Sequence, residues 1–128
     1  MTVGVSKTPM ISIVDDDEAV RNATKALIRS LGYPVATFAS AEDFLKSDQL
    51  RETSCLISDV QMPGLNGLEL QEHLTAAGHR IPTIFVTAFP DDRLRDRAMR
   101  SGAVSFMSKP FSEANLIVCL DRALQKSA

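Results

Sequence analysis

Four places in this 128-residue sequence carry residue types suited to phosphoryl chemistry: the acids Asp15-Asp16-Asp17, a lone Asp59, Thr87 and Lys109. Each closes or follows a short apolar run. A carboxylate can act as a covalent nucleophile, and an aspartyl phosphate is a recognised intermediate of group transfer. Charge that gathers on phosphoryl oxygens needs a cation and fixed donors around it. Lys109 offers a compact point charge and Thr87 a hydroxyl.

The acids have an alternative use as helix caps, each contributing about 0.3 to 1 kcal/mol near a helix N-terminus. One cap would suffice. If Asp59 converges on them, two charges about 4 Å apart repel by roughly 4 kcal/mol at an effective dielectric near 20, which exceeds the capping gain. A bound cation resolves that conflict, and hard carboxylate oxygens with room for water suit magnesium. The acid that does not face the metal stays as the cap. The backbone carbonyl of Gln61 is a further candidate ligand. Taken alone, Lys109 reads equally well as a solvated surface lysine and Thr87 as an ordinary strand residue; their matching positions argue for a shared task.

Positioning these residues requires a frame. Five apolar runs, Met10 to Val14, Pro34 to Phe38, Cys55 to Ser58, Thr83 to Val86 and Ala103 to Met107, alternate with five segments of helical period. That alternation implies βαβ crossovers and a parallel sheet in one α/β domain. Val20, Ala23, Thr24, Leu27, Ile28 and Leu31 share the first helical face, which Gly32 ends. Pro34 suits a sheet edge. Ser40 with Asp43 reads as a capping box, Gly78 closes the third helix, and the polar fourth segment offers only Leu94, Ala98 and Met99 for burial. Leu116, Ile117, Leu120, Ala123 and Leu124 line the last helix. In open parallel sheets ligands bind beyond the carboxyl ends of the strands, where all four chemical positions fall.

Composition narrows the function classes. Apolar residues make up 45%, charged residues 23%, and the formal charge is −2. No basic excess favours direct nucleic-acid binding. No apolar stretch is long enough for a membrane span, and the first residues lack a signal core, so the expected location is the cytoplasm. Cys55 and Cys119 sit in apolar runs without metal-site spacing and are expected as buried thiols. His73 and His79 are expected at the surface, neither placed to carry a phosphoryl group.

With Ile13-Val14-Asp15-Asp16-Asp17, Ser58-Asp59-Val60-Gln61-Met62-Pro63-Gly64 with Gly67, Val86-Thr87-Ala88 and Lys109-Pro110-Phe111, the chain resembles the receiver domain of two-component response regulators, most closely the FixJ-like branch. The resemblance implies a flavodoxin-like three-layer sandwich, a five-stranded sheet in the order 2-1-3-4-5 with five helices, and a receiver over 9–126 between a tail at 1–8 and an end at 127–128. It implies Asp59 as phospho-acceptor and magnesium, with manganese as a substitute, held by Asp16, Asp59 and the Gln61 carbonyl, with Asp15 acting largely through water. Thr87 and Lys109 would hold the phosphoryl group, and the Lys109-Pro110 peptide is a candidate for the cis form. The donor would be a phosphohistidine on a histidine kinase. The product would be a signalling switch rather than a dedicated enzyme, with Thr87 and Phe106 as the moving pair, although Phe106 suits plain core packing equally well. Phe89 is expected to influence phosphate lifetime. The face of the fourth helix, fifth strand and fifth helix is a candidate for homodimer or output-domain contacts. Whether the chain stands alone or belongs to a longer DNA-binding regulator stays open.

Three other functions share parts of this pattern. A haloacid dehalogenase-type phosphatase would use Asp15 as nucleophile with Asp17, Thr87 and Lys109, but leaves the Asp59 loop without a task. A degenerate receiver acting only by interaction would lack one of the chemical residues. A flavin-binding protein of this topology would need a Ser/Thr/Gly-rich loop after the first strand.

Overall fold

The computed structural model describes residues 8–126. The expected boundaries of the tail at 1–8 and the end at 127–128 lie almost wholly outside them. Strands β1 (Met10–Val14), β2 (Val35–Phe38), β3 (Thr53–Asp59), β4 (Thr83–Thr87) and β5 (Ser105–Ser108) alternate with helices α1 (Glu18–Ser30), α2 (Ala41–Leu45), α3 (Gly67–Ala76), α4 (Asp92–Arg100) and α5 (Glu113–Lys126). All pairings are parallel and the strand order is 2-1-3-4-5, as the resemblance implied.

Alternation along the strands builds three layers. Ile11 and Ile13 of β1, Cys55 and Ile57 of β3 and Ile84 and Val86 of β4 pack against Ile28 of α1 and Leu116 and Leu120 of α5. On the other face Val14 and Leu56 meet Phe44 of α2 and Leu70 and Leu74 of α3. Phe85 meets Leu68 and Ala98, with Leu94 and Phe106 packed alongside. β3 and β4 are buried almost throughout, whereas β2, one of the two edge strands, is half-buried along its length. Both thiols lie in the core, and burial pushes Cys55 up to about 12, with Cys119 adding a smaller push.

The local signals operate as chemistry requires, with some adjustments. Asp17 caps α1 through Val20 N–H at 3.2 Å, so it is the acid spared from the metal cluster. Gly32 and Gly78 follow the ends of α1 and α3 with φ of +96° and +85°, where a side chain would be strained. Ser40 accepts from Asp43 N–H at 3.0 Å, but the reciprocal capping box forms at Asn66 and Glu69 instead. α2 has only 5 residues and gives way to a 3-10 turn over Asp48–Glu52, which the sequence did not announce.

β3 starts at Thr53 rather than Cys55, because the Thr53 hydroxyl pairs with the Ser12 hydroxyl at 2.6 Å and hides its polarity. β5 starts later than Ala103, whose N–H turns back to the Ala98 carbonyl at 3.1 Å. Met99, expected to be buried, is 44% exposed, and Ala98 carries the contact of α4. Ala23 of α1 is exposed too, and Val20 half-buried, because both line an open groove beside Pro110 and Phe111.

Phe44 is fully buried and stacks edge-on to Phe38 with ring centroids 5.2 Å apart. Phe44→Ala should therefore lower unfolding stability by about 3 to 5 kcal/mol, read from urea denaturation. A loss below about 1 kcal/mol would show that this corner repacks.

Candidate functional site

Register brings the acids together before any side chain chooses a partner. Val14 of β1 pairs with Ser58 of β3, so Asp15 and Asp59 follow at the same level on adjacent strands. Asp59 pairs with Val86 and Thr87 with Ser108, which puts Lys109 just beyond the end of β5. The Lys109 N–H donates to the Thr87 carbonyl at 2.7 Å, extending the ladder past the strand, and the Lys109-Pro110 peptide is cis.

Lys109 is the centre of the site. Its Nζ donates to Asp15 Oδ2 at 2.8 Å and lies 3.2 Å from Asp59 Oδ2. All three side chains are largely buried, with exposures of 13%, 3% and 8% for Lys109, Asp15 and Asp59. Asp16 is exposed but brings a carboxylate oxygen into the same group, so that Asp15, Asp16 and Asp59 offer ligand oxygens within 4.8 Å of one another. Three carboxylates against one ammonium leave the cluster negative. The donor set is all oxygen and hard, which fits a magnesium-like cation.

Electrostatics agree with that imbalance. Burial and then the Asp15 charge raise Asp59 from the ordinary 3.8 to about 6, exceeding what Lys109 returns. Burial opposes the charge on Lys109, but the hydrogen bond and field of Asp15, and then those of Asp59, outweigh it and raise its pKa.

The loop after Asp59 is held at both ends. Val60 N–H donates to the Val86 carbonyl at 3.0 Å and Gly67 N–H to the Val60 carbonyl at 2.9 Å. Gly67 is obligatory for close approach, since a Cβ there would sit 2.3 Å from the Asp59 carbonyl oxygen. In the middle, Leu65 N–H donates to Glu42 at 3.1 Å, which is the chief reason the Glu42 carboxyl is lowered.

Thr87 is fully buried. Its hydroxyl donates to the Gln61 side-chain carbonyl and accepts the Phe89 N–H at 3.0 Å. Phe89 is 72% exposed, outside the core beside this hydroxyl. Phe106 pairs with Phe85 across the sheet and packs, half-buried, against the cluster that includes Ala98 and Leu68. His73 is exposed on α3, as expected, whereas His79 is half-buried just after that helix.

Two participants escaped the sequence reading. Gln61 was read for its backbone carbonyl, yet its side chain holds Thr87. Arg21 donates from Nη1 to the Asp15 main-chain carbonyl at 2.7 Å. A cation one turn into a helix, where the dipole favours acids, was the available signal.

A family model described as "Response regulator receiver domain" matches residues 11–121. The chain belongs to that family. This receiver is 40% identical over 119 residues to the response regulator protein TodT of Pseudomonas putida, covering 93% of the chain and 52% of TodT. It is 37% identical to the transcriptional regulatory protein FixJ of Azorhizobium caulinodans, covering 92% of the chain and 56% of FixJ. The chain thus spans about half the length of the curated relatives it matches. Among solved structures, the response regulator StyR superposes with a TM-score of 0.87 at 41% identity, covering 94% of this chain and 61% of that one. The crystal structure of FixJ-N gives 0.84 at 32% identity, with 94% and 96% covered.

Family membership also disfavours the phosphatase reading, and the geometry gives the reason. Both carboxylate oxygens of Asp15 are engaged, Oδ1 by Asp17 N–H at 2.9 Å and Oδ2 by Lys109, so Asp15 is poorly placed to attack.

Because the Asp59 value is higher in the fold than in the unfolded chain, the folded receiver binds more protons between about pH 4 and 6, and without metal its stability falls as pH rises through that window. In chelator, Asp59→Asn should be more stable than wild type by about 1 to 2 kcal/mol at pH 7 after allowance for screening. The gap should close near pH 4. Urea denaturation at both pH values measures it, and equal stabilities at pH 7 would refute the electrostatic account.

Proposed function

We propose that this receiver takes a phosphoryl group from the phosphohistidine of a histidine kinase onto Asp59 and, in the cytoplasm, switches the state of a partner or output domain. The observation that carries this reading is the bridge from Lys109 to both Asp15 and Asp59 at 2.8 and 3.2 Å. It supports a site built for negative charge on a nucleophilic carboxylate. Asp15, Asp16, Asp59 and the Gln61 carbonyl are the residues that would hold Mg2+, or Mn2+ in its place. When bound, that ion supplies charge neutralisation for the phosphoryl oxygens.

In the step itself, an Asp59 carboxylate oxygen attacks phosphorus while the bond from phosphorus to the donor imidazole nitrogen breaks. The bonding pair leaves with the imidazole, and the phosphoryl group ends as an acyl phosphate. Lys109 follows the charge from the free carboxylate to the phosphoryl oxygens. The Thr87 hydroxyl exchanges the Gln61 carbonyl for a phosphoryl oxygen, and Phe106 responds on the neighbouring strand. Receivers of this kind catalyse their own transfer but act as switches.

An apolar groove of about 520 Å3 opens beside Lys109, lined by Val20, Ala23 and Leu27 of α1 with Ala88, Pro110 and Phe111. It supports docking of the donor next to Asp59. Met99 on α4 and Val118 on α5 expose apolar side chains, which supports contacts of the α4, β5 and α5 elements with an output domain or a second copy. No helix among the described residues is long and apolar enough to cross a membrane.

Incubation with Mg2+ and acetyl phosphate, followed by mapping of the acyl phosphate, should label Asp59. Asp59→Asn should abolish that label. A label on Asp15, or equal labelling of Asp59→Asn, would reject the proposal.

A further inference from the structure

Every polar atom of Asp15 has a partner. Its N–H donates to the Phe38 carbonyl at 3.1 Å, Oδ1 takes the Asp17 N–H, Oδ2 takes Lys109, and its carbonyl oxygen, which has left the sheet, takes Arg21 at 2.7 Å. Asp16 is the opposite case. Its carboxylate is exposed, and among the described residues no hydrogen bond or ion pair holds it.

The direction in which Asp16 points is therefore set by its own main chain, which begins at the Asp15 carbonyl. A peptide unit is rigid and planar, so a bond that fixes that carbonyl fixes the plane from which Asp16 projects. Arg21 makes this bond from a side chain only 15% exposed, and its ion pair with the 81% exposed Glu18 is long at 4.0 Å. A weak surface pair gives little stability, so the Asp15 carbonyl is the contact that orients the guanidinium.

We propose that Arg21 is a positioning residue for the cation site: by pinning the Asp15–Asp16 peptide, it aims the otherwise unheld Asp16 carboxylate at the oxygens of Asp15 and Asp59. This rests on the metal-site reading above. Electrostatics and positioning make opposite claims here, which sharpens the test. As a nearby cation, Arg21 repels Mg2+, so charge alone would let its removal tighten binding. As a support for a ligand, its removal weakens binding, and outer partners of metal ligands are typically worth about 10-fold or more in affinity.

Calorimetric titration of the unphosphorylated protein with MgCl2, with no phosphodonor present, reads the sign directly. Arg21→Met should raise the Mg2+ dissociation constant by about 10-fold. Arg21→Lys, which keeps a charge and a donor, should fall between Arg21→Met and wild type. Urea denaturation in chelator verifies that each variant is folded, and Arg21→Lys carries the test if Arg21→Met is not. In an Asp16→Asn background, Arg21→Met should cost little more, because the two changes act through one ligand. Wild-type or tighter Mg2+ binding by a folded Arg21→Met or Arg21→Lys variant would overturn the proposal, as would losses at Arg21 and Asp16 that simply add. A wild type that takes up no Mg2+ would instead overturn the metal-site reading and this inference with it.

Discussion

The ammonium of Lys109, set between the carboxylates of Asp15 and Asp59, is the interaction on which the rest of the site depends. Without it two largely buried acids at the ends of adjacent strands would repel each other at close range, and the sheet edge would have to open or protonate. One lysine is insufficient to neutralise three carboxylates, and burial together with the Asp15 charge keeps Asp59 raised. The remaining negative charge is a standing attraction for a cation. Burial makes the arrangement responsive, because charges change one another's protonation and position far more where water is scarce.

The scaffold explains how such a cluster is sustained. A parallel sheet covered on both faces fixes strand register tightly, so the level at which each strand ends is also fixed. Lys109 comes from the opposite side of the sheet from Asp15, and its backbone is tied to Thr87 before its side chain crosses to the acids. The Asp59 loop is closed by main-chain bonds at both ends and by the tight packing of Gly67 beneath the Asp59 carbonyl. These supports are mostly backbone, so the frame of the site does not rest on the side chains of Gln61, Thr87 and Phe106.

Thr87 illustrates that division. It is fully buried on a rigid strand, yet its hydroxyl is satisfied by a side chain from an exposed loop position. Such a bond ties the strand end to the loop after Asp59 without drawing on the hydrogen bonds of the sheet. The half-buried Phe106 occupies a comparable middle ground, in contact with the core cluster beside α4 but not enclosed by it.

The sequence alone determined the alternation of strands and helices, the parallel sheet, and the four positions where chemistry gathers, because apolar period and the abrupt change to charged residues are local properties. It also marked the spare acid as a cap, which became Asp17. Only the tertiary structure decided which partner each group takes. The hidden Ser12–Thr53 pair lengthened β3, the Ala98 carbonyl delayed β5, and the true capping box formed at Asn66 rather than Ser40, all through contacts that polarity alone does not reveal. Likewise Arg21 and the Gln61 side chain entered the site through bonds to residues brought near by folding, one to the Asp15 carbonyl after a turn of helix and one across adjacent strand ends to Thr87. A residue's type and spacing state what it can do; register and packing select the atom with which it does it.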